Sequence, residues 1–223
     1  GFRGEALASI CAVAHVDMKT RRKKDELGFH IINEGSKIKT KDPISIQQGT
    51  SISVKNLFFN LPARRKFLKS NSVETRHIID EFQRVALIHP EITFLLQNND
   101  SEVYHLEQGN FRQRIISIFG KSFNEKLVPI QENTDIVNIS GFIGKPGFAK
   151  KTRGEQFFFV NNRFIKNSYL NHAISQAMED LLPPKSYPSY FVQLEIDPSD
   201  MNMNWYGNPV EFGCTDDYYL EYS

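Results

Sequence analysis

The stretch Gly1-Phe2-Arg3-Gly4-Glu5-Ala6-Leu7 decides the fold. Its two glycines lie three residues apart and lead into Glu5-Ala6-Leu7-Ala8-Ser9-Ile10, which predicts the opening of a helix. Glycine permits positive φ and a close approach of the backbone to a ligand. A helix N-terminus adds unpaired N–H donors and the positive end of the helix dipole, which together suit a phosphate. On spacing alone, a Gly-x-x-Gly before a helix is more typical of a simple turn.

A second informative stretch is Pro62-Ala63-Arg64-Arg65-Lys66-Phe67, where Pro62 suits the first turn of a helix. The cations that follow are compatible with three interpretations. They could contact DNA phosphates, support a neighbouring nucleotide site, or form the solvated face of an amphipathic helix. The residues alone leave these alternatives open.

Several strings, taken together and in this order, resemble the MutL family, the mismatch-repair branch of the GHKL ATPases. They are GFRGEALASI at 1–10, GTSISV at 49–54, LFFNLPARRKFL at 57–68, FFFVNNR at 157–163 and LNHA at 170–173. The resemblance covers about residues 1–200 and is far more specific than any single motif.

The resemblance implies an α+β fold with two domains. An incomplete GHKL-type α/β sandwich is expected at residues 1–108, followed by a second domain at 109–223. In MutL relatives this second domain resembles the ribosomal-protein type of βα fold, whose crossover is left-handed. From the residues alone, a strand–helix–strand order implies a crossover whose default hand is right.

The resemblance also implies a function. MutL proteins use ATP and magnesium, dimerise when ATP binds, close on DNA and relay mismatch recognition to other repair proteins. The residues that match the family's nucleotide site are Gly1, Phe2, Arg3, Gly4, Glu5, Ala6, Leu7, Gly49 and Thr50. The family's catalytic glutamate, magnesium-binding asparagine and base-reading aspartate have no counterpart in residues 1–223. We therefore expect this chain to hydrolyse no ATP and to bind neither ATP nor magnesium stably.

A second hypothesis is a non-enzymatic, non-sequence-specific DNA-binding module. Its candidate contacts are cations in three separate places, namely Arg64, Arg65, Lys150, Lys151, Arg153 and Arg163. Lys150, Lys151 and Arg153 belong to a basic loop at 145–153, for which a plain solvated connection is the alternative. Such a module should bind DNA with an affinity that falls steeply with salt.

Composition sets wider limits. A net charge of +1 means that any DNA contact must come from a local patch. Cys11 and Cys214 lie far apart, which indicates neither a disulfide framework nor a zinc site. No signal peptide and no apolar run of membrane length is evident, so we expect a cytoplasmic protein without a membrane partner.

Hydrophobic periodicity and turn residues predict the remaining elements. Strands are predicted at 12–19, 28–32, 51–58, 92–97, 102–105, 136–143, 156–160 and 190–196. Helices are predicted at 5–10, 63–69, 71–89, 111–119 and 168–182. A capping box is predicted at 71–74, and a polar connection at 37–48. The buried stripe of the third helix is predicted to consist of Ile78, Phe82, Val85 and Ala86.

The C-terminal stretch departs from the family pattern. Pro209 falls where the family has a lysine that reaches the γ-phosphate, and the tail from about residue 200 is atypical. Ser168 takes the place of an arginine that some relatives use for DNA. The resemblance leaves open whether an endonuclease domain accompanies this region in the whole protein.

Overall fold

The computed structural model describes residues 5–197. Gly1, Phe2, Arg3 and Gly4 lie outside the described residues, as does the stretch 198–223 with its predicted departure from the family pattern. Compactness divides the chain into two units, Gly1–Thr75 and Arg76–Ser223. The predicted α+β class is confirmed. The predicted boundary between residues 108 and 109 stays a prediction.

The first unit is built on a four-stranded antiparallel sheet in the order β3-β2-β1-β4. Its elements are α1 (Ala6–Val13), β1 (His15–Arg21), β2 (Gly28–Glu34), β3 (Lys37–Ile44), β4 (Gly49–Lys55) and α2 (Pro62–Lys66). Helix α3 (Asn71–Ile88) runs across the division between the units.

Helix α1 is held at its C-terminal end by donors from two loops. The carbonyl of Cys11 accepts the N–H of Ser36 at 2.8 Å, and the carbonyl of Val13 accepts the N–H of Phe58 at 2.7 Å. Between them, the carbonyl of Ala12 accepts the side-chain amide of Asn60 at 2.9 Å. The last carbonyls of a helix have no acceptor role inside it, so these bonds satisfy groups that would otherwise need water.

The prediction of a polar connection at 37–48 is wrong for most of its length, because strand β3 occupies Lys37–Ile44. β3 is the edge strand of its sheet and pairs only with β2. Lysines and a proline are common on edge strands because they discourage further pairing. Because of Pro43 and its lysines, β3 has a polar sequence that does not show the alternation typical of a strand.

Several strand boundaries in the first unit differ from prediction, and two of them have a clear local cause. The strand predicted from residue 12 begins at His15, because α1 continues through Val13. The strand predicted to reach Phe58 ends at Lys55, where Asn56 turns the chain with a φ of 54°. Asparagine tolerates this left-handed conformation better than most residues.

The segment between α2 and α3 also differs. Helix α2 was predicted at 63–69; it begins one residue earlier, at Pro62, and ends at Lys66. The predicted capping box is wrong in its partner, because the Glu74 carboxylate accepts the N–H of Lys69 at 2.9 Å. The carbonyl of Ser70 accepts the N–H groups of the third and fourth residues of the helix.

The second unit contains a five-stranded mixed sheet in the order β10-β9-β11-β8-β7 and a two-stranded hairpin of β5 and β6. Its strands are β5 (Phe94–Asn98), β6 (Ser101–Leu106), β7 (Leu127–Asn133), β8 (Val137–Gly144), β9 (Gln156–Val160), β10 (Arg163–Ile165) and β11 (Tyr190–Ile196). Its helices are α4 (Phe111–Phe119), α5 (Phe123–Lys126) and α6 (Ser168–Ala177). β9 and β11 pair in parallel, so the predicted crossover is present. Its predicted left hand stays a prediction.

The sheet of the second unit buries both faces. Phe157, Phe159 and Phe191 face a core shared with α3, α4 and the β5–β6 hairpin. Phe158 and Tyr190 point the other way, into a smaller cluster that includes residues of α6. Alternate residues of a strand face opposite sides, so a continuous phenylalanine run serves both cores.

The predicted stripe of α3 is partly wrong. Ala86 is buried and Phe82 packs against the main core, but Ile78 and Val85 are 58% and 53% exposed. The buried surface of this helix comes instead from its last turn, which adds Leu87. Periodicity gives the direction of an apolar face but not which part of it meets a neighbour.

The predictions for α4, β9 and β11 are confirmed at both ends, and the β5–β6 hairpin is confirmed with shifted boundaries. The helix predicted to reach Leu182 ends at Ala177 and is followed by a 3₁₀ turn at Glu179–Leu181. α5 and β7 were not predicted. β7 is an edge strand with Pro129 and one fully buried residue, so it carries little of the usual strand pattern. Among residues 5–197, no helix is long and apolar enough to cross a membrane.

Arg114 on α4 is a buried structural cation. Its guanidinium donates to the carbonyls of Pro90, Ile92 and Glu107 at 3.0, 2.6 and 3.2 Å, respectively. Its side chain also stacks on Phe94, with the guanidinium carbon 5.3 Å from the ring centroid. Burial lowers the pKa of Arg114 from its usual value. Arg114 thus joins α4 to the segments on both sides of the β5–β6 hairpin.

We predict that Arg114→Met lowers the free energy of unfolding by about 3 kcal/mol, because carbonyls buried without donors each cost roughly 1–3 kcal/mol. Urea denaturation followed by circular dichroism measures this. The matched control is Arg112→Met on the same helix, whose bonds to Asn124 are exposed. Equal losses in the two variants would contradict a special role for Arg114.

Tyr190 generates a prediction about alkaline stability. Burial raises its pKa from 10.0 to about 12, and its hydroxyl is hydrogen-bonded to the side chain of Asn171. Between these two pH values the unfolded chain releases a proton that the folded chain retains, so the free energy of unfolding should fall as the pH rises. Tyr190→Phe should be less stable than the wild type at pH 8, and the difference should shrink above pH 10. A constant difference in chemical denaturation across this range would contradict the assignment.

Candidate nucleotide and DNA sites

The described part of the first nucleotide motif lies at the start of α1. Glu5 occupies the N-cap position, and its side chain caps no N–H of the helix. The N–H groups of Ala6, Leu7 and Ala8 have no acceptor within the helix, since the first such bond runs from Ser9 to the carbonyl of Glu5 at 2.9 Å. These donors suit an anion.

The second nucleotide motif, Gly49-Thr50, opens β4. Gly49 has a φ of 134°, a conformation that favours glycine. The hydroxyl of Thr50 lies 2.7 Å from the hydroxyl of Thr20 across the β1–β4 pair. Thr50 is exposed, so its hydroxyl has a fixed neighbour and an open side.

The two motifs lie at positions that the first unit fixes separately. α1 leads into His15, which pairs with Lys55, whereas Gly49 pairs with Arg21 at the other end of β1. No hydrogen bond or ion pair between described residues links 5–7 with 49–50. Within 5–197 no group of three or more His, Cys, Asp or Glu side chains could hold a metal ion. The unpaired N–H groups at the start of α1 could donate to the oxygens of a phosphate.

The cationic side chains of α2 are exposed, and no carboxylate among residues 5–197 pairs with them. Arg64, Arg65 and Lys66 lie on the helix, and Lys69 follows it. None of them forms an ion pair with any residue in the described range. Their charge is therefore available to an anionic partner.

Another basic run, at the β1–β2 turn, is partly neutralised. The Arg22 guanidinium donates to the Asp25 carboxylate at 2.7 Å, and this hydrogen bond lowers the pKa of the Asp25 carboxyl. The side chain of Arg21 donates to the backbone carbonyl of Asp25 at 2.9 Å. Contacts of this kind are typical of the solvated tip of a hairpin.

The basic loop at 145–153 contains a neutralised cation. The ammonium of Lys150 forms an ion pair with Glu155, whose side chain is only 10% exposed. The same carboxylate accepts the hydroxyl of Ser189 at 2.5 Å. Lys150 is therefore engaged within the protein, although it was predicted to contact DNA. Sequence reasoning missed Glu155 and Ser189, since nothing in their local sequence signals a shared bond.

The other two predicted cations of this loop face solvent. Lys151 and Arg153 are exposed, and the Arg153 guanidinium lies 4.7 Å from the ring centroid of Tyr187. Tyr187 was also missed by sequence reasoning. Its separation from the loop in sequence gave no signal of the contact.

Arg163 lies at the start of β10, after a tight turn. Asn161 and Asn162 have positive φ values of 45° and 63° in the turn between β9 and β10. Arg163 is exposed and pairs through its backbone with Val160. The structure thus distributes the six predicted DNA contacts over α2, the basic loop and this turn.

The second unit also has a shallow cleft of about 200 Å³ beside the β7–β8 turn. Asp135, Glu195 and Asp197 contribute to its lining. Carboxylates at this position disfavour a phosphate group. None of the predicted site residues lines this cleft.

Comparison with protein families and curated proteins gives one consistent result. A family model described as "DNA mismatch repair protein, C-terminal domain" matches residues 115–206. DNA mismatch repair protein MutL of Christiangramia forsetii is 58% identical over 220 residues, which cover 99% of this chain and 36% of that protein. MutL of Flavobacterium psychrophilum is 59% identical over 217 residues, covering 97% of this chain and 35% of that protein. The chain thus spans about a third of the length of these relatives.

Solved structures with a similar fold include nucleotide-binding domains. The Aquifex aeolicus MutL ATPase domain complexed with ADP aligns with a TM-score of 0.69 and 25% identity, covering 87% of this chain and 72% of that one. The B-subunit of DNA gyrase from Myxococcus xanthus aligns with a TM-score of 0.52 and 8% identity, covering 85% and 59% of the two chains. These likenesses confirm the predicted GHKL-type fold.

We predict that Arg64→Gln/Arg65→Gln weakens the salt dependence of DNA binding by this chain. If both cations neutralise phosphates, the slope of log affinity against log salt should fall in magnitude by roughly 1.8, at about 0.9 per contact. Fluorescence anisotropy with a labelled duplex of mixed sequence measures the slope. Lys37→Gln/Lys41→Gln on β3 is the control with the same change in charge. Identical slopes in the two double variants would contradict contact by α2.

Proposed function

Because this chain belongs to the MutL family of DNA mismatch repair proteins, we propose that it forms part of an ATPase that relays mismatch recognition. In this proposal, binding and hydrolysis of ATP gate dimerisation and closure on DNA. The observation that carries it is 58% identity to a named MutL protein over 99% of this chain. Mismatch-recognition proteins, downstream repair proteins and a second copy of the whole protein are the proposed partners.

The nucleotide is proposed to contact two parts of the first unit. The N–H groups of Ala6 and Leu7 would donate to phosphate oxygens at the N-terminal end of α1. Gly49 has no side chain and so allows the positive φ at the start of β4. Thr50 could donate its hydroxyl to a phosphate oxygen. Residues 1–4 complete the proposed phosphate-contacting motif. The ADP complex of the related Aquifex aeolicus domain supports a nucleotide as the ligand class.

ATP, when bound, supplies the γ-phosphate whose presence and loss distinguish two states of such a protein. This chain's own contribution is to orient the phosphates. α1 is fixed at its C-terminal end by Ser36, Phe58 and Asn60, so the donors at its N-terminal end are presented by a helix with a fixed base. Preorganised donors lose little free energy on binding, because they need not be ordered at that moment.

A second candidate function is a DNA-binding module that acts without ATP turnover. The exposed cations of α2 favour it, because Arg64 and Arg65 have no carboxylate partner among residues 5–197. Contacts of this kind position a protein on the phosphate backbone and carry no sequence information. The two functions are compatible, since closure on DNA also requires phosphate contacts.

The proposed function is tested by a chimera. Residues 5–197 of this chain replace the aligned segment of Christiangramia forsetii MutL in a strain of that organism that lacks its own gene. We expect the chimera to restore the low frequency of spontaneous rifampicin-resistant mutants, because the segment is closely related in sequence. A mutation frequency equal to that of the deletion strain, despite normal expression of the chimera, would overturn the proposal.

The same chimera tests Thr50. Thr50→Val should weaken binding of a non-hydrolysable ATP analogue about tenfold, since a hydrogen bond to a charged group contributes roughly 1.5–3 kcal/mol. Thr20→Val is the matched control, because it removes the Thr20–Thr50 bond and leaves the Thr50 hydroxyl in place. Calorimetric titration gives both affinities. Equal weakening in the two variants would mean that Thr50 acts only through its neighbour.

A further inference from the structure

Two segments of the second unit that are distant in sequence are joined by their backbones. The N–H of Lys150 donates to the carbonyl of Tyr187 at 3.1 Å, and the N–H of Tyr187 donates to the carbonyl of Lys150 at 2.7 Å. The basic loop after β8 therefore lies directly beside the segment that precedes β11. This bridge brings the cations of the two segments close to one another along the chain's surface loops.

Glu155 holds this junction from below. It is 7% exposed, and its carboxylate accepts Ser189 of one segment and pairs with Lys150 of the other. Its backbone carbonyl accepts the N–H of Tyr190 at 2.8 Å. Burial of a carboxylate is costly unless it is paired and hydrogen-bonded, and both conditions are met here. Because Lys150 forms an ion pair with Glu155, it adds little to the net positive charge of the surrounding surface.

The outward cations at the junction have no such partner. Lys145, Lys151, Arg153 and Lys185 are exposed, and none forms an ion pair within the described stretch of the chain. Arg153 is oriented by Tyr187, whose ring lies beneath its guanidinium. A solvated connection would not need a buried carboxylate, a two-way backbone bridge and a stacked guanidinium to hold it in place.

We propose that these two segments form a single surface for the backbone phosphates of duplex DNA. Lys145, Lys151, Arg153 and Lys185 are its contacts, and Glu155 is its positioning residue. This inference rests on the proposed function in taking DNA as the partner, and it extends the contact beyond the basic loop to Lys185. The surface reads charge rather than sequence, because ammonium and guanidinium groups on phosphates carry no base information.

The test uses the 223-residue chain and a fluorescein-labelled duplex of mixed sequence, with anisotropy measured between 50 and 200 mM salt. Lys151→Gln and Lys185→Gln should each reduce the magnitude of the salt slope by about 0.9, the value for one phosphate contact. Both side chains are exposed, so neither change should affect folding. Lys41→Gln on β3 is the single-charge control and should leave the slope as in the wild type.

Glu155→Gln separates positioning from charge. Net charge alone would make this variant bind DNA more tightly, since a negative charge is removed. A positioning role makes it bind more weakly at 50 mM salt, because Lys150 and Ser189 lose their shared carboxylate. Urea denaturation of the variant verifies that the remainder of the unit is folded. Tighter binding by the folded variant would overturn the role given to Glu155.

The remaining outcomes separate this surface from the proposed function. If the wild type binds DNA but Lys151→Gln and Lys185→Gln keep its salt slope, the surface is wrong while DNA remains the partner. If only Lys151→Gln changes the slope, the extension to Lys185 is wrong. Absence of DNA binding by the wild type throughout the salt range would overturn both this surface and the DNA contact of the proposed function.

Discussion

The capture of three backbone carbonyls at the end of α1 is the constraint on which the first unit depends. Ser36 comes from the β2–β3 turn, whereas Phe58 and Asn60 come from the loop after β4. Loops at two different places in the sequence thus converge on one helix terminus. The unusual backbone of Phe58, with a φ of 59°, belongs to the residue whose N–H makes one of these bonds. A helix held in this way presents its opposite end, where the unpaired N–H groups lie, in a fixed position relative to the sheet.

The second unit depends on a different principle, the parallel pairing of β9 with β11. The partner strands must be joined by a long connection, and here that connection contains β10 and α6. Gly141 on β8 allows β11 to approach closely, because a Cβ at this position would lie 2.1 Å from the carbonyl oxygen of Phe191. Close strand contact and phenylalanines on both faces pack the central strands β9 and β11 tightly.

Much of this architecture could be predicted where local signals agree. α4 was predicted at both ends because Gly109-Asn110 precedes its apolar pattern and Gly120 stops the helix, and the structure adds a capping box between Asn110 and Gln113. β9 and the first part of β11 are short apolar runs with the length and composition that favour a buried strand. β3 was not predicted, because its charged residues are those of an edge strand. Whether a strand lies at an edge depends on the order of strands in the sheet, which the sequence of one strand does not show. The start of β1 was predicted wrongly, because an alternating pattern does not show at which residue the preceding helix ends.

The candidate sites show the same limit. The resemblance to a known family supplied the nucleotide motif and the cations of α2, and the exposure of those cations agrees with a role on the surface. The neutralisation of Lys150 could not be foreseen, since Ser189 is 39 residues away in sequence. Tyr187 likewise became visible only when its contact with Arg153 was known. The sequence shows which residues are charged, whereas only the fold shows whether a charged side chain is already paired within the protein.

Three of the four outer strands of the two larger sheets have a consequence for contacts between copies of the chain. β3 carries alternating lysines and Pro43, β7 carries Pro129, and β10 is only three residues long. Each of these features leaves too few free N–H groups, or too much charge, for another strand to add alongside. Along these edges, crowded copies are therefore protected from growing into continuous intermolecular sheets. Association at these places has to be made by side chains, which can be released, rather than by shared main-chain ladders, which resist separation.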